Sequence, residues 1–87
     1  MVSQKVVSKN PTGLHLRPAG LLCKEAMQYK SKITFDYSGN TANAKSVLSV
    51  LGACIKCGDE ITLICEGEDE EKALDALSKY IESGLGE

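Results

Sequence analysis

The chain has 87 residues, which is enough for one small hydrophobic core and too few for two, so we expect a single domain over residues 1–87. Its net charge of -2, with only one arginine in the chain, argues against direct binding of nucleic acid, because such proteins present a basic surface to the phosphates. No stretch has the composition of a secretory leader or the roughly 18 apolar residues of a membrane helix. This predicts a cytoplasmic protein that does not insert into membranes.

The N-terminal part of the chain predicts a strand, a turn and a helix. Val2–Ser8 is rich in valine, as strands are, and Asn10, Pro11 and Gly13 favour a turn after it. From Leu16 onwards the apolar residues follow the period of an amphipathic helix. The apolar stripe of that helix consists of Ala19, Leu22, Cys23, Ala26 and Met27.

A hairpin and a short helix are predicted next. Lys32–Tyr37 alternates apolar with polar residues, and a tight reversal at residues 38–40 leads into a second strand at Thr41–Ala44. Ser46 is a suitable N-cap and Gly52 a suitable end for a helix of fewer than two turns. So short a helix depends on tertiary contacts, because helix nucleation is costly.

The last two predicted elements are a strand and a helix. Ile61, Leu63 and Cys65 fall on one face of the strand, and the helix has acidic residues at its positive N-terminal end and stops at Gly84. The apolar stripe of this helix consists of Leu74, Leu77 and Ile81. The order βαββαβα predicts an α+β two-layer domain, with antiparallel pairing and helices over one face of the sheet.

The rarest residues of the chain cluster where the first helix is predicted to begin. His15 and Arg17 are the only histidine and the only arginine, and Pro11 and Pro18 are the only prolines. A helix N-terminus is electropositive, so it would stabilise a phosphoryl group on His15, and the guanidinium of Arg17 can grip phosphate oxygens. Pro18 suits a first helical turn, where no N–H is needed. Spacing alone does not distinguish this carrier from an ordinary polar residue at a helix start.

Ser46 has two compatible interpretations. As an N-cap it satisfies a free backbone N–H, which is a sufficient structural role. A phosphate on its hydroxyl would add about 1.5 to 2 negative charges where the helix dipole favours them, so the effect would fall on binding partners. Val47, Leu48 and Leu51 lie in a helix too short to bury every side, and they either form an exposed docking patch or face the core.

The four cysteines fall into two groups. Cys54 and Cys57 have the C-x-x-C spacing of thiol redox sites, but they follow a predicted helix instead of beginning one. As a zinc site the pair is half complete, so we expect no metal. Cys23 and Cys65 lie on apolar faces and are expected to be small core residues. Without a secretory signal, all four are expected to be reduced thiols.

The segments GLHLRPAG, AKSVLSVLG and GEDEEKAL together resemble HPr, the family of histidine-containing phosphocarrier proteins of the bacterial phosphoenolpyruvate-dependent sugar phosphotransferase system. The resemblance covers essentially the whole chain. The family motif G-L-H-x-R-P-A is met by Gly13, Leu14, His15, Arg17, Pro18 and Ala19. The resemblance implies an open-faced α+β sandwich, in which a four-stranded antiparallel sheet carries three helices on one face. It also implies a phosphoryl carrier that is not an enzyme and needs no cofactor.

The same resemblance implies partners and residue roles. His15 would receive phosphate on Nδ1 from the phosphohistidine of enzyme I and pass it to a histidine of the sugar-specific A components of enzyme II, while Arg17 steadies the group. Ser46 matches a regulatory serine that an ATP-dependent HPr kinase/phosphorylase modifies, and the phosphorylated form is a corepressor of the catabolite control protein. The protein is expected to be a monomer. The implied docking contacts are Leu16, Gly20, Lys24, Val47, Leu48 and Leu51.

Two features depart from the family pattern. Leu16 stands where the family more often has a small residue or threonine, and the C-x-x-C at Cys54 and Cys57 is not a family feature. Retention of His15 argues against the regulatory paralogue that lacks it. The alternatives are an HPr-like regulator of a nitrogen-related or other branch and, from a different class, a thiol redox module that uses Cys54 and Cys57.

Overall fold

Four strands and three helices follow one another in the order βαββαβα, which confirms the predicted order. The computed structural model describes residues 1–10, 13–14 and 16–85. The elements are β1 (Val2–Val7), α1 (Leu16–Ala26), β2 (Lys32–Tyr37), β3 (Asn40–Asn43), α2 (Val47–Gly52), β4 (Glu60–Glu66) and α3 (Glu70–Glu82). Within the described ranges, no helix has both the length and the apolar character needed to cross a lipid bilayer.

The strands form one antiparallel sheet in the order β1-β4-β2-β3. In its register Phe35 is paired with Leu63, and Val6 with Ile61, so apolar side chains of neighbouring strands line one face. The helices cover that face: α3 packs on β1 and β4, α2 packs on β3, and α1 contacts both other helices. The predicted open-faced α+β sandwich is confirmed.

The hydrophobic core lies between this face of the sheet and the helices. Its largest fully buried side chains include Leu22, Ile33, Phe35, Ile61, Leu63, Leu77 and Ile81. The prediction that Cys65 is a core residue is confirmed. Cys23 is only half-buried, and its thiol donates a hydrogen bond to the carbonyl oxygen of Lys45 at 3.0 Å. This hydrogen bond therefore joins α1 to the residues that lead into α2.

The ends of several predicted elements were wrong by one residue or more, and the smallest such error is in β1, which stops at Val7 and not at Ser8. Met27 was expected on the apolar stripe of α1, but the helix ends at Ala26 and Met27 is 63% exposed. The N–H groups of Gln28 and Tyr29 donate to carbonyl oxygens three residues earlier, so the chain tightens into turns after Ala26. In the hairpin, Asn40 is paired with Tyr37 and so belongs to β3.

The hairpin turn therefore contains only two residues, Ser38 and Gly39. Their φ angles are 51° and 81°, and positive φ at both central residues is the mark of a type I′ turn. This turn matches the twist of the two strands. It sets the register that places Phe35 opposite Ala42 on the buried face.

The end of α3 is closed by Gly84, as predicted. The N–H of Gly84 donates to the carbonyl oxygen of Ile81, and the N–H of Leu85 donates to that of Tyr80, which is the Schellman arrangement. Gly84 has a φ of +89°. Its carbonyl oxygen accepts a buried hydrogen bond of 2.8 Å from the side-chain amide of Asn10. The end of α3 thus holds the chain segment that leads from β1 to α1.

Asp69 fastens the connection between α1 and β2 to the start of α3. Its carboxylate accepts hydrogen bonds from the backbone N–H groups of Lys30 and Ser31, each at 2.9 Å, and from the hydroxyl of Ser31. The Ser31 hydroxyl, followed by the Lys30 N–H, lowers the pKa of Asp69 to about 2. The folded protein therefore keeps this carboxyl ionised at a pH where an unfolded chain would protonate it.

We expect this difference to make the protein less stable as the pH falls from about 4 towards about 2, because over that range the unfolded chain binds more protons than the folded one. The contribution of Asp69 is complete above its unfolded pKa and is lost as the pH passes through its folded pKa. In Asp69→Asn the loss of stability over this range should be smaller, because the contribution of Asp69 is removed. Urea unfolding at several pH values measures the slope, and Asp75→Asn, which removes an exposed carboxylate paired with Lys79, is the matched control. An unchanged slope in Asp69→Asn would contradict the assignment.

Candidate functional site

The first turn of α1 presents a positively charged surface. The helix begins at Leu16, as predicted, and its first turn contains the exposed Arg17 and the buried Pro18 but no acidic residue. The guanidinium has no carboxylate partner among the described residues. N–H groups at a helix start lack intrahelical partners, so they and Arg17 are available to an anion. His15, which precedes Leu16 in the chain, lies outside the described residues.

The segment before α1 is held in place by a backbone contact with residue 55. The N–H of Leu14 donates to the carbonyl oxygen of Ile55 at 2.9 Å, and the N–H of Gly13 donates to that of Asn10 at 3.0 Å. Gly13 has a φ of +75°, and a Cβ atom on it would lie 2.5 Å from the Ile55 oxygen. Glycine is therefore required here both for its backbone conformation and for the close approach.

The chain from Cys54 to Asp59, called here the 54–59 loop, supports this contact. At its end, the N–H of Ser8 donates to the carbonyl oxygen of Asp59 at 2.9 Å, and the N–H of Gly58 donates to that of Ser8 at 2.8 Å. The carboxylate of Asp59 accepts hydrogen bonds from the Tyr37 hydroxyl at 2.6 Å and from the Lys56 N–H at 2.8 Å. These two bonds lower the pKa of Asp59. The loop is thus fixed to β1 and β2 while it holds the segment before α1.

Ser46 is the N-cap of α2, which confirms its predicted structural role. Its backbone is extended, and its hydroxyl oxygen accepts a hydrogen bond from the N–H of Ser49 at 3.2 Å. The preceding residue, Lys45, donates from its ammonium group to the carbonyl oxygen of Tyr29 at 2.7 Å. The start of α2 is therefore connected to the end of α1.

Val47, Leu48 and Leu51 were expected either to form an exposed docking patch or to face the core, and the structure shows that they differ. Leu48 is 82% exposed. Val47 and Leu51 are half-buried and pack against the core. Only Leu48 therefore offers most of its side chain to a partner.

The expected docking residues of α1 also differ in exposure. Leu16 is 68% exposed, Lys24 is exposed and Gly20 is half-buried. Because α1 and α2 contact each other, the two helices present exposed leucines on neighbouring elements. Large exposed apolar side chains on adjacent helices are typical of a surface that binds another protein.

The C-x-x-C pair does not occupy a helix N-terminus. Cys54 follows Ala53, the C-cap of α2, and both Cys54 and Cys57 are exposed free thiols. Cys54 has a φ of 56°, which non-glycine residues seldom adopt. Over the described part of the chain, His, Cys, Asp and Glu side chains do not gather in threes as metal ligands.

Two groups that shape this site carry no signal in the sequence. The Ile55 carbonyl is a backbone group, and any residue type supplies one. Asp59 follows Gly58, a pair typical of surface turns, and only the structure shows its carboxylate between two elements. The one available signal was Gly13, because a glycine next to a motif marks a place where backbones approach closely.

The chain is similar to known proteins over nearly its full length. Residues 2–83 match the family model described as "PTS HPr component phosphorylation site". The chain is 40% identical over 82 residues to the HPr-like protein Crh of Bacillus subtilis (strain 168), covering 94% of this chain and 96% of the relative. It is 39% identical over 88 residues to the phosphocarrier protein HPr of Lysinibacillus sphaericus, covering 100% of both. A crystal structure of HPr-C-His from Thermoanaerobacter tengcongensis matches with a TM-score of 0.95 at 38% identity, covering 100% of this chain and 98% of that chain.

Proposed function

Because the chain belongs to the HPr family of the phosphotransferase system, which includes phosphocarrier proteins, we propose that it carries a phosphoryl group on His15. In this proposal the donor is the phosphohistidine of enzyme I, and the acceptor is a histidine of the sugar-specific A components of enzyme II. The lone pair on Nδ1 of His15 forms the new P–N bond while the donor P–N bond breaks, and that electron pair returns to the donor imidazole. The exchange is between like groups, so it runs in either direction.

The observation that carries the proposal is the exposed, acid-free first turn of α1 with Arg17 in it. His15 directly precedes this turn in the sequence. The N–H groups and the guanidinium can share the phosphoryl charge, and a planar guanidinium binds two phosphate oxygens at once. A bound phosphoryl group is then stabilised without a metal ion.

The experiment that tests the proposal is intact-mass analysis after incubation with enzyme I and phosphoenolpyruvate, repeated after mild acid. One added phosphate that acid removes supports a phosphohistidine. No added mass, with an enzyme I active on another HPr, would overturn the carrier role. The protein is also proposed to act as a monomer, and sedimentation equilibrium of the same samples checks this.

An HPr-like regulator is the second candidate, and it is favoured by the 40% identity to Crh. The two candidates differ in the need for His15, since a regulator acts through Ser46 without passing phosphate through a histidine. The thiol redox module is less well supported, because Cys54 and Cys57 follow α2 instead of standing at the N-terminus of a helix, where such pairs are found.

We further propose that Ser46 is the site of regulatory phosphorylation by an HPr kinase/phosphorylase, and that the modified form binds the catabolite control protein. The hydroxyl lies at the start of α2 and next to the exposed Leu48. Phosphate oxygens would still accept the hydrogen bond from the Ser49 N–H, so the helix would remain capped. The added charge would change the affinity of a partner that binds at the exposed Leu48.

We expect Ser46→Asp to lower kcat/KM for phosphate uptake from enzyme I by about tenfold, because it places a charge at the edge of the docking surface. Aspartate and asparagine both cap helices well, so Ser46→Asn is the uncharged control and should transfer phosphate at the wild-type rate. Both variants should keep the wild-type free energy of unfolding to within about 1 kcal/mol. Equal kinetics of the two variants would remove Ser46 from the regulatory account.

A further inference from the structure

We propose that Cys54 and Cys57 form a thiol modification site, and that an internal disulfide between them releases the contact that supports the segment before α1. The proposal deepens the proposed function, on which its effect on phosphate transfer rests. Its structural part, that the disulfide displaces Ile55 from Leu14, stands on the geometry of the 54–59 loop.

The two thiols and Ile55, one of the two residues between them, face different environments. Cys54 and Cys57 are both exposed, so a small disulfide can reach them. Ile55 is only 3% exposed and belongs to the hydrophobic core. Residues 54–57 therefore present two thiols to solvent and the side chain of Ile55 to the interior.

The backbone of the loop does not suit a disulfide in its present form. The chain turns at residues 53–54 and again at residues 57–58, but not at Ile55 and Lys56 between them. Four residues whose two central positions do not turn hold their first and last Cα atoms more than about 7 Å apart, and Cys54 and Cys57 are the ends of such a stretch. A disulfide needs those atoms about 4.4 to 6.8 Å apart. Bond formation must therefore bend the chain at Ile55 and Lys56.

That bend acts directly on the segment before α1. The Ile55 carbonyl oxygen accepts the Leu14 N–H at 2.9 Å, and the Lys56 N–H donates to Asp59 at 2.8 Å. Both backbone groups belong to the stretch that has to move. The disulfide and the Leu14 contact thus exclude each other.

The chemistry needs one small-molecule disulfide as oxidant. The thiolate of one cysteine attacks a sulfur of the oxidant, forms a mixed disulfide and expels one thiolate. The second cysteine then attacks the protein sulfur of that mixed disulfide, forms the internal bond and expels the second thiolate. The two cysteines lose two electrons to the oxidant, and their two protons go to the two released thiols.

The experiment compares reduced protein with protein treated with oxidised glutathione. We expect the intact mass to fall by two hydrogens, with no glutathione attached, and the Leu14 amide to exchange about tenfold faster in NMR, as expected for loss of one hydrogen bond. Phosphate uptake from enzyme I should slow by a similar factor, and dithiothreitol should restore both values. Stable attachment of glutathione without an internal disulfide, or an unchanged Leu14 exchange rate in the disulfide form, would overturn the proposal.

Matched variants assign the effect to this pair. Cys54→Gly suits the positive φ at residue 54, and Cys57→Ser keeps the size of the side chain. Neither variant can form the internal disulfide, so the Leu14 amide of each should exchange at the rate of the reduced protein after treatment with the oxidant. Cys23→Ser, which keeps a donor for the Lys45 carbonyl oxygen, should respond like the wild type. If the reduced protein takes no phosphate, only the proposed function is overturned. The effect of the disulfide on the Leu14 contact is measured by the Leu14 exchange rate, which does not depend on phosphate transfer.

Discussion

His15→Ala is expected to abolish the acceptance of phosphate from enzyme I and leave the fold intact. The chain has no other histidine, so no second imidazole can take over the phosphoryl group. The folded state is expected to persist because the core is built from the sheet and the inner faces of the helices. Intact mass after incubation with phosphoenolpyruvate measures acceptance, and thermal unfolding followed by circular dichroism measures the fold.

Two further variants sharpen this test. Arg17→Lys keeps the charge but loses the planar fork, so it should lower kcat/KM for phosphate uptake by about tenfold, against no measurable uptake for His15→Ala. Ser46→Ala removes the other proposed phosphorylation site and should still gain one acid-labile phosphate. If His15→Ala gains an acid-labile phosphate, the carrier residue is misassigned.

Gly13→Ala is expected to destabilise the protein by about 2 to 4 kcal/mol. The left-handed conformation costs an alanine about 1 to 2 kcal/mol, and loss of the Leu14–Ile55 hydrogen bond adds about 1 kcal/mol. The remainder comes from the new Cβ atom, which would lie 2.5 Å from the Ile55 oxygen unless the backbone moves. Phosphate uptake should slow as well, because the segment before α1 is displaced. Urea unfolding gives the free energy.

Gly52→Ala is the matched control for this substitution. Its Cβ would meet no atom within 4 Å, and its φ is not positive. It ends α2, where alanine favours the helix by up to about 1 kcal/mol. If the two variants have equal free energies of unfolding, the contact between residue 13 and the Ile55 carbonyl oxygen does not require glycine.

Much of this fold could be predicted because its signals are local. The alternation in β4 put Ile61, Leu63 and Cys65 on the buried face, where the structure has them. Ser46 was recognised as an N-cap and Gly84 as a stop because capping depends on a few adjacent residues. Arg17 was placed at the start of α1 for the same reason, since the start of this helix is marked by its own sequence.

The parts that could not be predicted depend on distant residues. The hairpin turn was made one residue too long, because the pairing of Asn40 with Tyr37 is decided by strand register and not by turn composition. Lys30 and Ser31 gave no sign that the carboxylate of Asp69, 39 and 38 residues away, accepts hydrogen bonds from both of their N–H groups. The hydrogen bond from the Leu14 N–H to the Ile55 carbonyl oxygen could not be predicted either, because it also joins residues that are distant in the sequence. The role of His15 stays a prediction, as it lies outside the described residues.

The hydrogen bond from Asn10 to Gly84 has a consequence for how the protein is made. It joins residues 74 apart in a chain of 87, and β1 has its partner strand in β4, which lies in the last third of the chain. Contacts between distant parts of a chain form late, after most of the conformational entropy has been given up. On the ribosome, β1 and the segment before α1 therefore have no partners until β4 and the end of α3 have been synthesised. A ribosome stalled before α3 would hold a nascent chain that contains the whole phosphorylation motif but cannot yet serve as a carrier.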